Sequence, residues 1–371
     1  MNKSSSNYQK LKHLTLATSF LVATELSISA NPTKAISIDL NFSSTTSSQA
    51  QTAFQQAADL WESKFDDNVN IYLNVGIDAL ASGVLASANS RKQVFSYTNI
   101  KTALTTDAKS TDDFSAVSNL QSGSALSFYT YDEGTYRLDN DTSGTDSNNN
   151  KFLGVNKANL KALGLLGDVG SDCSDSVNTN CDAVIKFSNS FVYDFDPSNG
   201  ITDGAFDFVG IAAHEIGHAL GFNSGVDIID ASPTTDRDAN AVWTVLDLFR
   251  YSDTSGNLDL RYGGNPYLSF NGGANSVGLL STGAFNGDGN QASHWKDSLG
   301  LGIMDPTLAT GELASITSLD LRAFDAIGWD LSASAAVPFE FSPSFGILFV
   351  SGLFGMKKTT DALKKRKTIK N

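Results

Sequence analysis

Apolar and polar positions alternate from Ile36 to Phe42, and Ile36, Ile38 and Leu40 share one face; this period of two predicts a strand. Phe54, Ala57, Ala58, Trp61 and Phe65 then fall at i, i+3, i+4, i+7 and i+11, one face of a helix. Val69 to Val75 alternates again, so strand, helix and strand follow one another within about forty residues. Such a βαβ unit requires an at least partly parallel sheet. Further on, the pattern predicts a helix near Asn99 to Ala108 and a strand within Asp182 to Asp196. It also predicts a helix over the Pro-free stretch Phe206 to Leu220, and a last helix from Ile316 that ends at Gly328-Trp329. Asp196-Pro-Ser-Asn-Gly200 has the chemistry of a turn, and no internal repeat is visible. The expected fold class is α/β (α+β), a mixed sheet with helices.

The two ends of the chain differ from its middle. Lys3, Lys10, Lys12 and His13 precede the mostly apolar run Leu14 to Ile28, which is too short to span a bilayer, and Ala30 and Ala35 offer small residues for cleavage. Residues 1–35 read as a secretory signal peptide. At the other end, uncharged Ser344 to Met356 leads into Lys357, Lys358, Lys364, Lys365, Arg366, Lys367 and Lys370. A motif, a short apolar segment and a basic stop resemble C-terminal sorting signals of the PEP-CTERM type, with Pro338-Phe339-Glu340 standing where that type has Pro-Glu-Pro. The resemblance implies an exported bacterial protein, handled by an exosortase-like processing enzyme and displayed outside the cell or at its envelope. A C-terminal helix packed on the domain is the plainer alternative for residues 333–371.

Composition sharpens this division. The 371 residues are 41% apolar and 18% charged, with a net charge of −14, which describes a globular chain able to bury a core. Without residues 1–35 and 337–371 the remainder keeps 15 basic and 37 acidic residues, a net −22. A polyanion of this kind excludes nucleic acid as a partner, because phosphate contacts need clustered Lys and Arg. Cys173 and Cys181, eight positions apart in a Ser/Asp/Asn loop, suit a small disulfide outside the cytosol. Asp139 to Lys151 opens like a calcium loop but has Asn150 at its twelfth position instead of Glu, so Ca²⁺ is a secondary expectation.

The chemistry is concentrated in His214-Glu215-Ile216-Gly217-His218. On a helix, histidines four positions apart stand one above the other and can hold one Zn²⁺. Glu215 lies beside them, placed to take a proton from an activated water without being a ligand. A catalytic zinc needs a third protein ligand and one open position. His294 is the only other histidine outside the signal segment; Asp227 and Ser224 are the local rivals.

His214-Glu-Ile-Gly-His218-Ala-Leu-Gly221-Phe222 resembles the first half of the metzincin metallopeptidase motif, with Gly221 where that family's helix ends and Ser224 breaking the compact form. Ser293-His294-Trp295-Lys296, followed by Ile303-Met304-Asp305-Pro306, resembles the leishmanolysin-type variant with its long spacing to the third His. The resemblance implies zinc on His214, His218 and His294, Glu215 as general base, and Met304 in a Met-turn beneath the metal without ligating it. It implies a metallopeptidase domain over 36–332, with an N-terminal lobe (36–221) that ends on the zinc helix. An irregular C-terminal lobe (222–332) would follow. A cleft between them would take an extended polypeptide against an edge strand, for which Asp182 to Asp196 is the candidate. Loops Asp230 to Ala241 and Tyr262 to Asn290 are expected to set specificity. The expected activity is that of an exported zinc endopeptidase. The alternatives are a zinc-containing surface or binding protein without turnover and a zinc hydrolase of small amides.

Overall fold

The computed structural model describes residues 36–144, 147–167, 181–252 and 256–335. The expected signal segment, Cys173 and almost all of the expected sorting segment lie outside these. No helix among the described residues is long and apolar enough to cross a membrane.

The architecture is mixed α and β. Strand β1 (Ser37–Phe42), helix α1 (Ser48–Glu62) and strand β2 (Asn70–Asp78) form the expected βαβ unit, and β1 pairs with β2 in parallel. Ser47 caps α1 by accepting from the Ala50 N–H, and Phe54, Ala57, Ala58 and Trp61 are completely buried on its inner face. The chain continues through β3 (Ala86–Ser90), β4 (Lys92–Ser96), α2 (Tyr97–Asp107), α3 (Thr111–Ser118), and the hairpin β5 (Phe128–Asp132) and β6 (Thr135–Asp139). One-turn α4 (Asn148–Lys151), β7 (Phe152–Asn156) and α5 (Lys157–Ala162) come next, then β8 (Ala183–Ser188), β9 (Tyr193–Asp194) and β10 (Phe206–Asp207).

The principal sheet has the order β1-β2-β8-β3, in which β8 runs parallel to β2 and β3 antiparallel to β8. This corrects the expectation for Asp182 to Asp196. Its regular part, β8, is paired on both sides, which suits its alternate buried residues Ala183, Ile185 and Phe187. The edge strand beside β8 is β3, with β1 at the opposite edge, and its Ala86-Ser-Ala-Asn-Ser90 sequence carries little apolar signal.

Helix α6 (Phe208–Leu220) packs across α1 and β3 and is buried on nearly every side, in keeping with its mostly apolar sequence. Helix α7 (Val226–Ala231), the short strands β11 (Arg250–Tyr251), β12 (Leu258–Asp259), β13 (Tyr267–Leu268) and β14 (Gly278–Leu279), and helix α8 (Ser318–Ala326) complete the chain. A second sheet, ordered β14-β13-β11-β12-β5-β6, draws its last two strands from residues 128–139. It therefore crosses the boundary expected at 221/222.

The aromatic core joins the parts that carry the site. Trp61 and Phe65 pack on Phe324 of α8, Phe65 meets Trp329, and Phe222 meets both Phe324 and Trp295. Trp61 also donates its indole N–H to the Ala213 carbonyl at 2.8 Å, fixing α6 against α1. Cys181, buried just before β8, is disulfide-bonded.

Candidate metal centre

Helix α6 is held at both ends. Asp207 caps its N-terminus by accepting from the Gly210 N–H, and its second oxygen accepts from the Ala314 N–H. Gly221 ends the helix at φ +133°, and Trp329 donates to the Leu220 carbonyl. Between these anchors His214 and His218 present their rings to the same side, where His294 joins them from the segment after β14.

The three Nε2 atoms form a nearly equilateral triangle: 3.1 Å from His214 to His218, 3.1 Å from His218 to His294 and 3.2 Å from His294 to His214. Each Nδ1 lies against a backbone carbonyl: Ile303 O at 2.7 Å for His214, Phe222 O at 2.8 Å for His218 and Gln291 O at 3.1 Å for His294. A carbonyl only accepts, so each Nδ1 carries the proton and each neutral ring turns a lone pair inward at Nε2. Burial pushes all three imidazoles below their ordinary pKa, that of His294 to about 3, which keeps them in the metal-binding form.

Three lone pairs converging in a buried pocket repel one another unless a cation lies between them. Metal–nitrogen bonds of about 2.05 Å place tetrahedral ligand atoms roughly 3.3 Å apart, close to the spacing found, so the donor set fits Zn²⁺ with one position left open. His214, His218 and His294 form a group able to hold a metal ion.

Glu215 is 6% exposed and accepts from the backbone N–H of Ala88 on β3. Burial raises its pKa to about 8. A neighbouring dication acts in the opposite direction and favours the carboxylate.

The rivals for third ligand have other work. Asp227 accepts from the Ala292 N–H at 2.6 Å and from the Ser293 hydroxyl, while Ser293 Oγ accepts from the Ser224 N–H and Ser224 Oγ donates to Asp247. Together they fix the segment that delivers His294.

Met304 is fully buried with its sulfur against Gly217, where any Cβ would overlap Met304 Sδ. Asp320 holds this region in place and was not singled out from the sequence. Its carboxylate accepts from the Trp295 indole, from the backbone N–H groups of Ile303, Met304 and Thr317, and from the Thr317 hydroxyl. Thr317-x-x-Asp320 is a capping box at the start of α8, a pattern legible in the sequence.

Asp139, the first residue of the expected calcium loop, is buried. Its oxygens accept from the Asn149 and Asn150 side-chain amides, and Arg137 lies 3.5 Å away. Compared with known proteins, the chain matches no family model, no curated protein and no solved structure at a significant level.

A cleft of about 920 Å³ opens over the triad. One wall is β3 with the residues before it, Gly83 to Ala88; the opposite wall includes Asp305 to Leu308 and Glu312 to Ser315. Loops 230–241 and 262–290, expected to set specificity, contribute none of the described lining residues.

Proposed function

We propose that the protein is an exported zinc-dependent endopeptidase of metzincin type, with His214, His218 and His294 as metal ligands and Glu215 as general base. The observation that carries this reading is the triangle of inward-facing Nε2 atoms with a non-ligand carboxylate in the adjacent helix position, opening on a cleft. A purely structural zinc site has no use for Glu215, and its fourth position would be closed by a protein ligand. Met304 under Gly217 and the tie from Ile303 to His214 support the metzincin likeness.

Zn²⁺ held there supplies Lewis acidity, lowering the pKa of a water and polarising a carbonyl. Glu215 takes the proton from the attacking water and returns it to the departing amine. The backbone carbonyls on the three Nδ1 protons orient the imidazoles and raise their basicity. Apart from the Ala88 N–H held by Glu215, the outer edge of β3 offers main-chain hydrogen bonds to an extended peptide, which would hold the scissile bond over Glu215.

The test is hydrolysis of casein by the purified protein. Cleavage stops with a zinc chelator and returns when zinc is restored. Stoichiometric zinc with no cleavage of any polypeptide would sink the peptidase reading, and hydrolysis of small amides alone would favour the amidase.

A further inference from the structure

Lys92 is the one lysine among the described residues lining the cleft. The residue is exposed at the surface and its side chain makes no hydrogen bond or ion pair with another described residue, while burial of the ammonium lowers its pKa and the Asp247 and Asp227 carboxylates act to raise it. Its position is fixed from both sides. Two residues earlier, Ser90 donates to the His218 carbonyl at 3.1 Å, tying the end of β3 to the zinc helix. Asn156, the register partner of Lys92 on β7, donates to the same carbonyl at 2.8 Å. Gly154 on β7 has only a hydrogen where a Cβ would come 4.0 Å from Lys92 Cδ, so the lysine stem has room beside it.

The nearby carboxylates Asp247 and Asp227 act on Lys92 through space, while their hydrogen bonds go to other groups. Asp227 holds the Ala292 N–H and Ser293, and Asp247 holds Ser224, Gly225 and Thr244. Arg250, the other cation near them, is buried and donates to the Ser281 carbonyl. The wall beyond the triad carries the opposite sign, with Asp305 and Glu312. Lys92 is therefore the one cation among described lining residues that also include Glu215, Asp227, Asp305 and Glu312, within a domain that is strongly acidic.

We infer that Lys92 is a specificity determinant that selects an acidic side chain in the bound peptide; this rests on the endopeptidase reading above. An antiparallel ladder is the more favourable way to extend β3, and it puts the N-terminal part of the peptide at the Lys92 end. The selected Asp or Glu then stands about two to four residues before the scissile bond, at a strand rise of roughly 3.3 Å per residue. The overall negative charge opposes this only weakly, because its field is screened beyond about 8 Å at physiological salt.

The test uses full-length Glu215→Gln protein loaded with zinc and a set of fluorescent decapeptides. These carry Glu, Gln or Lys in turn at each of the four positions before a fixed central bond. At one of those positions Glu binds about tenfold tighter than Lys, and the gap narrows with added salt. Lys92→Gln reduces the gap to within about twofold and Lys92→Glu reverses it, with zinc content unchanged. A ranking indifferent to Lys92→Glu overturns the inference, as does the absence of any charge preference. The same peptides are offered to the wild-type protein. Lys92-dependent acid selection without cleavage leaves this inference standing and removes the peptidase reading; cleavage with a ranking indifferent to Lys92 does the reverse.

Discussion

At the level of single residues, the spacing of His214 and His218 was readable because a helix turns spacing into geometry: four positions apart is one face. His294 followed from the scarcity of histidine. The residues that hold the ligands were not readable in the same way: Asp320 shows its capping box, but its ties to Trp295, Ile303 and Met304, like those of Asp227 and Ser293, join distant parts of the chain. One of them makes a clear prediction. Asp227→Ala leaves stoichiometric zinc but weakens its affinity by about 10–100-fold, as loss of supporting hydrogen bonds does at other metal sites. His294→Ala abolishes stoichiometric binding, and competition with a chromogenic chelator separates the two. Equal affinity in wild type and Asp227→Ala would mean that the 292–294 segment holds its place without that carboxylate. Gly217→Ala forces a methyl onto the Met304 sulfur and lowers stability by about 1–3 kcal/mol, measured by urea unfolding.

Among the elements, those with strong periodicity were legible: β1, α1, β2, α6 and α8 lie where the pattern predicts them, with ends displaced by a few residues. The edge strand was not. β3 alternates small and polar residues and buries none of them fully, so its sequence resembles a loop; β8, with Ala183, Ile185 and Phe187 buried at alternate positions, carries the stronger strand signal. Helix α6 depends on its anchors as much as on its own sequence. Asp207→Ala removes the cap on Gly210 and leaves the Ala314 N–H without its partner. It should cost about 1–2 kcal/mol and loosen the wall of the cleft formed by 312–315. Faster amide exchange at Ala314 than in wild type would show this loosening, and unchanged exchange would argue against the tie.

On the scale of the molecule, the surplus of acidic residues has a structural counterpart. Asp67, Asp107, Asp113, Asp325 and Asp330 gather where α2, α3 and α8 meet the segment after α8, with Lys109 paired to Asp330 and Arg322 to Asp112. Burial, with the neighbouring carboxylates, raises Asp67 and Asp325 to about 8 and Asp107 to about 7. A carboxyl whose folded pKa lies above its unfolded value binds more protons in the native state, so its stabilising effect is complete below about pH 4 and is lost as pH rises towards 8. Asp67→Asn and Asp325→Asn should therefore raise the melting temperature at pH 8 and change it little at pH 5. An equal change at the two pH values would show that these carboxylates are ionised throughout.

The account as a whole depends on a buried carboxylate working beside a three-histidine metal site. Its most direct test is the rate of polypeptide cleavage by wild type and Glu215→Gln, each carrying one zinc per chain. Loss of the general base should lower kcat by at least about 100-fold while zinc content stays equal. Equal rates in the two proteins would contradict the role given to Glu215.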